Sequence, residues 1–368
     1  MLKVSNKKLL IIQPILTSYR EKLFDDLSKN FDKINIYSIK NNGNGFKGNV
    51  TGKFNSIHTP FIGNRTKIYY QKGIILSIIK NKPTGIFLTA DFRAIHYFLI
   101  LIIAKIFKIP IFSHGQGLYD KPNPNLVHRL LFKTTISLSS SYICYTKSVY
   151  QTLIDIGINS KKLSIMDNTI VNEFPVRSEE KTNTKNKLLY IGRLRERCNL
   201  ELLFNAMKIL EDDDIKLTLN IVGDGEKRVE LEKYTKKLNL DINFLGAIYD
   251  DELISELSKG CKIGVYPGDA GLSIVHYMSL SLVPIVHSDL TKHMGPEPSY
   301  IKDNENGLIF RRDDKNSLAD VIRKTLKEEE LSKSLSKNAF NTYKSLLSPT
   351  MAEKLMNTMN PYINREKL

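Results

Sequence analysis

Cysteine is scarce in this chain of 368 residues: Cys144, Cys198 and Cys261 stand far apart. No paired spacing of a zinc site or disulfide framework is present, and so few thiols suit a reducing cytoplasm. Long hydrophobic runs are missing too. The most apolar stretch, YFLILIIA from Tyr97 to Ala104, is followed by Lys105 and Lys108. It falls short of the roughly 18–20 residues that a membrane span needs, so it reads either as a buried helix or as a helix with one face on lipid. The opening MLKVSNKKLLIIQPIL has a short strand-like apolar run and no small-residue cleavage site, which argues against a secretory signal. No G-x-G-x-x-G follows a strand, GDGEKR lacks that spacing, and no Walker loop occurs, which disfavours dinucleotide-dependent dehydrogenases and P-loop enzymes. Acidic residues are thin in one half only. Residues 1–178 hold 25 Lys and Arg against 9 Asp and Glu, or +16, and the remainder carries −1, so the excess behind the net charge of +15 lies in the first half. Such a surface attracts anionic lipid headgroups, polyanionic acceptors or nucleic acid, or is a lysine-rich solvated face. Zinc spacing and RNP-like aromatics are absent, so nucleic acid is not an expected partner.

What is present is ordinary in bulk and ordered in pattern. Hydrophobic residues make up 42% and charged ones 25%, as in a globular protein, and the length predicts two domains. Strand-like runs alternate with amphipathic stretches throughout. KLLIIQP, KINIYSI, GIFLTA, IPIFSH and SYICYT are strand candidates in the first half, with helices expected at Glu21–Leu27 and over 70–79. The polar stretch 172–186 reads as a linker. KLLYIGR, LTLNIVGDG, INFLGA, KIGVYPG, VPIVHSD and NGLIF follow, between helices expected near 200–211, 227–238, 250–258, 272–281 and 315–330. The expectation is an α/β protein of two doubly wound Rossmann-like domains, 1–171 and 187–345, with a helical segment, 346–368, that packs back on the first.

Open α/β sheets bind ligands beyond the carboxyl ends of their strands. In the second half those ends carry GRLRER, GDGEK, GAIYD and PGDAG, so Gly223, Gly246, Gly268 and Gly271 would converge on one rim. There glycine permits sharp turns and close approach to a ligand, or simply a strand-to-helix turn. A helix starting near Leu272 would aim unpaired N–H groups at the rim, a place that suits a diphosphate. Arg193, Arg195 and Arg197 follow a strand directly. Arg193, nearest the strand, and Arg197 are candidates for charge-assisted bonds to phosphate, the alternative being a solvated patch.

These segments, from LLYIGRLRERCNLELLFNAMKIL to ENGLIF over residues 187–325, resemble the donor domain of GT-B glycosyltransferases of family 4 (group 1). IIQPILTSYREKLFDDL, FSHGQGLY and SYICYTKSVYQTLIDIGINSKKLSIMDNTI look like acceptor-side segments of bacterial surface-polysaccharide enzymes of this group. The resemblance implies a GT-B fold with a nucleotide sugar in an interdomain cleft and Arg193 on the diphosphate. The family's lysine five residues on is Cys198 here, with Arg197 beside it. The family's two glutamates fall at Gly268 and His276, in a stretch that reads as a variant pattern, PG-x-x-GL-x-x-x-H. His276 would then bond the ribose, with Asp269 next to the sugar-contacting position; the alternative for His276 is a helix residue packed in the core. His114 would face the donor sugar or acceptor, with Gly115 allowing close approach, or would be a water-exposed turn residue. Glu297 would bind sugar hydroxyls or accept backbone donors, and Tyr19 and Arg20 would touch the acceptor.

The activity so implied is retaining glycosyl transfer from a nucleotide sugar to a lipid-linked oligosaccharide in O-antigen or capsule synthesis. No metal or other cofactor is expected. Arg193 and the helix start would stabilise the leaving diphosphate, and closure of the cleft would position the acceptor and exclude water. His114 and Arg193 are the candidate catalytic residues. The basic first half would dock on an anionic membrane, making the protein cytoplasmic and peripheral at the inner face of the plasma membrane. Two rivals are a GT-B-fold epimerase acting on a UDP-sugar and a non-catalytic partner subunit.

Overall fold

The apolar runs pair edge to edge, and the computed structural model describes them within residues 7–40, 54–182 and 186–364. Two units emerge, Met1–Asn168 with Pro349–Leu368, and Thr169–Ser348. The first contains β1 (Lys8–Ile12), β2 (Lys33–Ser38), β3 (Asn55–His58), the short antiparallel pair β4 (Phe61–Gly63) and β5 (Tyr69–Gln71), then β6 (Gly85–Thr89), β7 (Ile111–Gly115), β8 (Ser141–Cys144) and β9 (Leu163–Ile165). Its parallel sheet has the order β3-β2-β1-β6-β7-β8-β9. Both faces of its centre are covered, which is why β1 and β6 read as near-continuous apolar runs, while β2 and the edge strand β3 keep polar residues. Leu9, Ile11, Ile36 and Phe112 point to one side, onto the helices Glu21–Ser28 and Met351–Ile363. Leu10, Ile12, Leu88 and Ile111 point to the other, onto the helices Ile74–Asn81 and Ile95–Ile106.

The second unit contains β10 (Lys187–Ile191), β11 (Thr218–Val222), β12 (Asp241–Gly246), β13 (Ile263–Val265), β14 (Val283–His287) and β15 (Leu308–Phe310), all parallel, in the order β12-β11-β10-β13-β14-β15. Strand order reverses between β10 and β13. In an open α/β sheet the crevice for a ligand lies there, beyond the carboxyl ends.

Three local expectations are corrected. Residues 70–71 belong to β5, and the helix begins only at Ile74, after Gly73 at φ 82°. The helix expected over 315–330 breaks at Glu328, giving Lys315–Lys327 and Glu329–Leu347. The stretch 172–186, where described, is no loose linker. Val176 is buried in the second unit's core, Asn172 donates to Ser279 Oγ at 2.9 Å, and Lys181 Nζ donates to the carbonyls of Ser258 and Cys261. The helix Met351–Ile363, in the segment expected to return to the first domain, buries Leu355 and Met359 in the first unit's core. Thr350 and Glu353 cap its start reciprocally, and Lys354 pairs with Asp167 at 2.9 Å.

Candidate functional site

Four loops crowd the carboxyl rim of the second sheet around its switch point. Leu194 N donates to Asp224 O at 3.0 Å, Gly223 N to Gly246 O at 2.7 Å, and Asp269 N to Arg197 O at 2.9 Å. Two of the glycines expected to make room for a ligand make room for other loops instead. A Cβ on Gly223, at φ 152°, would strike Gly192 O, and one on Gly268 would strike Arg197 O. Gly246 needs its glycine for a φ of 74°. Gly271 differs: a Cβ there would come no nearer than 3.9 Å to Glu297 Oε2 and Met294 Cβ. Leu272 stands at the N-cap of a helix of seven residues, Ser273–Ser279, and no side chain caps it.

The rim carries a built charge cluster. Arg193 is exposed, with its guanidinium 3.9 Å from Glu226. Arg197 Nε donates to Asp269 Oδ2 at 2.7 Å, and its Nη2 donates to Lys292 O at 3.3 Å. Asp269 is buried, and its other oxygen lies 3.5 Å from His287 Nε2 and 3.7 Å from Arg312. This corrects its expected place beside a sugar: the carboxylate is engaged in holding Arg197. Cys198, at the lysine position, is buried, and burial raises its thiol pKa, so it carries no charge to the rim. Glu297 is buried in the turn Glu297–Tyr300, its carboxylate against Gly295 and facing the open side of Gly271.

Three histidines here are neutral. Burial lowers His276 to about 4, and its Nε2 is buried without a partner among the described residues. His287 and His293 stack with ring centroids 3.8 Å apart. Burial and the neighbouring ring lower His293 to about 3, and its Nδ1 accepts the Ala270 N–H at 3.0 Å. His287, His293 and Arg312 were missed from sequence. His287 ends β14 and RRDD follows β15, so the carboxyl-end rule extended to those strands finds His287 and Arg312, and His293 lies in the loop after β14. Among the described residues no cluster of three or more His, Cys, Asp or Glu is placed to hold a metal ion.

The first unit groups its own candidates. His114 is the penultimate residue of β7 and is buried, with its ring stacked on Tyr145 at 4.3 Å, which overturns the alternative of an exposed turn residue. Burial, then the Arg20 guanidinium, push its pKa well below 6.5, and its Nε2 has no partner among the described residues. Arg20 is itself buried, donating to Asn168 Oδ1 and lying 3.7 Å from Met351 Sδ. Instead of reaching out to an acceptor, it ties the loop after β1 to the one after β9. Tyr19 is exposed, with its ring 5.4 Å from Arg20 Cζ. Gly115 makes room for a neighbouring ring, because a Cβ there would strike Tyr142 Oη.

Residues 172–342 match the family model described as Glycosyl transferases group 1. An uncharacterized glycosyltransferase, MJ1178, of Methanocaldococcus jannaschii is 27% identical over 229 residues, 61% of this chain and 60% of the relative. A Campylobacter jejuni relative, named GalNAc-alpha-(1->4)-GalNAc-alpha-(1->3)-diNAcBac-PP-undecaprenol alpha-1,4-N-acetyl-D-galactosaminyltransferase, is 27% identical over 158 residues, 42% of each chain. The chain thus spans less than two thirds of these curated relatives. Among solved structures, Anabaena Alr3699/HepE in complex with UDP superposes with a TM-score of 0.69 at 14% identity, covering 96% of this chain and 100% of that one. The fold is therefore that of GT-B glycosyltransferases, two Rossmann-like domains with parallel sheets, and residues 172–342 are similar to glycosyl transferases group 1.

Proposed function

We propose that the protein transfers a sugar from a nucleoside-diphosphate donor to a lipid-linked oligosaccharide, with retention of anomeric configuration and without a metal, in bacterial surface-polysaccharide synthesis of the O-antigen or capsule type. The observation that carries this is the convergence of Arg193, the Asp269-held Arg197 and the start of the helix Ser273–Ser279 on the switch point between β10 and β13. Two guanidinium groups beside a strand-to-helix turn stabilise a leaving diphosphate before the reaction begins, so no reorganisation is needed as charge develops. The neutral His276 offers a hydrogen bond to a ribose hydroxyl, and Glu297, facing the open side of Gly271, suits sugar hydroxyls. The lipid-linked acceptor is supported by the name of the Campylobacter relative and by the basic first half. The working place is the cytoplasmic face of the plasma membrane, reached peripherally.

The test is incubation of the whole chain with a panel of nucleotide sugars and an undecaprenyl-diphosphate glycan. Free nucleotide together with a lengthened glycan is the expected result. An altered sugar with no transfer points to an epimerase, and the absence of any reaction with any donor to a partner subunit.

A further inference from the structure

The helix Ile95–Ile106 is apolar nearly all round, yet the described chain covers only one side of it. His96, Tyr97, Ile100, Leu101 and Ala104 are buried. On the far side Ile95, Leu99, Ile102 and Ile106 project at i, i+4, i+7 and i+11, a continuous helical stripe, with Ile102 51% and Ile106 70% exposed. A helix apolar on every side is ordinarily covered on every side. The stripe does not stop at this helix. Ile74–Asn81 packs beside it on the same sheet face and exposes Leu76 and Ile79. Leu126–Leu138, held to it through the rings of Phe92, Phe98 and Phe132, exposes Leu126 and Leu130. Scattered exposed aliphatics are normal, but a contiguous set across three adjacent helices marks an interaction surface.

Charge says what covers it. Residues 33–154 hold sixteen Lys and Arg and only two acids, Asp91 and Asp120. Both acids are paired, with Arg93 at 2.8 Å and Lys121 at 2.9 Å. Lys80, Lys105 and Lys133 are exposed on the three helices that carry the stripe, and Lys108 is exposed just past the end of Ile95–Ile106. A second copy of the chain, docked symmetrically, would set this basic face against itself. An anionic bilayer surface satisfies both features: aliphatic side chains enter the headgroup–acyl boundary while lysines meet phosphates. At 12 residues the helix is about 18 Å long, and no helix among the described residues is long and apolar enough to cross a membrane. It therefore lies along the surface.

We infer that the outer face of the helices Ile74–Asn81, Ile95–Ile106 and Leu126–Leu138 is a docking surface for anionic membrane, with the stripe Ile95, Leu99, Ile102 and Ile106 inserted. This rests on the reading that the acceptor is lipid-linked, and names where the enzyme meets the bilayer that carries it. The test is flotation of the whole chain with phosphatidylcholine vesicles and with phosphatidylcholine–phosphatidylglycerol vesicles. The wild type is expected to float with the anionic vesicles. The triple change Leu99→Ser, Ile102→Ser, Ile106→Ser is expected to lower partition by about tenfold or more, with melting temperature and nucleotide binding retained. Lys105→Gln with Lys108→Gln is expected to lower it severalfold and to flatten its dependence on salt. The inference is overturned if the wild type floats with neither vesicle, or if the serine variant floats as well as the wild type. It is equally overturned if the wild type is a dimer that the serine changes dissolve without affecting flotation. Transfer to a detergent-solubilised lipid-linked glycan reports on the activity separately. A wild type that transfers sugar but ignores vesicles sinks the docking face alone, and one that floats but transfers nothing sinks the proposed activity alone.

Discussion

Asp269 meets Arg197 at 2.7 Å on one oxygen and faces His287 and Arg312 on the other. A carboxylate next to the proposed diphosphate site would repel the ligand if it had no other task. Its pairing with Arg197 reverses the expected sign of its removal. Asp269→Asn is predicted to weaken uridine diphosphate binding severalfold, because Arg197 loses its anchor; tighter binding would show that the carboxylate merely opposes the anion. Arg193→Ala is predicted to weaken binding by about tenfold to a hundredfold, the scale of one charge-assisted hydrogen bond of roughly 1.5–3 kcal/mol. Titration calorimetry reads both. The guanidinium of Arg197 thus gives the rim a positive charge beside Cys198, which is neutral and buried.

The rim loops test the same idea at the level of elements. Gly223→Ala is predicted to destabilise the second unit by at least about 1–3 kcal/mol, from backbone strain alone, since its φ is 152° and its Cβ would strike Gly192 O. Gly271→Ala, with 3.9 Å of clearance, is predicted to stay within about 0.5 kcal/mol of wild type while lowering donor affinity. Denaturant unfolding beside ligand titration separates the two. The strands were legible because KLLYI, TLNIV and VPIVH are mostly apolar runs bounded by glycine or polar turns, as strands largely buried on both faces tend to be. Their carboxyl ends then located Arg193, Arg197 and the 268–272 turn. The packing of 172–182 was not legible, because one apolar anchor, Val176, is joined mainly by polar bonds from Asn172, Ser255 and Lys181. Periodicity carries no trace of such bonds. The Arg197–Asp269 pair was hidden for a related reason: 72 positions separate its members, and only the adjacency of β10 and β13 unites them.

Across the whole molecule, neutral histidines occur in both units: the buried His96 and His114 in the first, the buried His293 and the partly exposed His276, whose Nε2 is enclosed, in the second. Burial holds His96 and His276 at about 4, against 6.5 for a free imidazole. The unfolded chain therefore binds more protons between those values, and stability is full above pH 6.5 and falls as pH drops toward 4. By linkage each of the two withdraws about 2 kcal/mol at pH 5. Melting temperatures are predicted to fall steadily from pH 7 to pH 5, and His276→Gln is predicted to reduce that slope; a flat profile would contradict the burial of these rings. The connectivity carries a further consequence. The first unit owns both 1–168 and 349–368, whereas the second is one uninterrupted segment, 169–348. A chain leaving the ribosome therefore exposes every residue of its second domain before the first domain has received Leu355 and Met359. Vectorial synthesis completes the second unit first, and the unit carrying the exposed aliphatic stripe acquires its last core helix only near the end of translation.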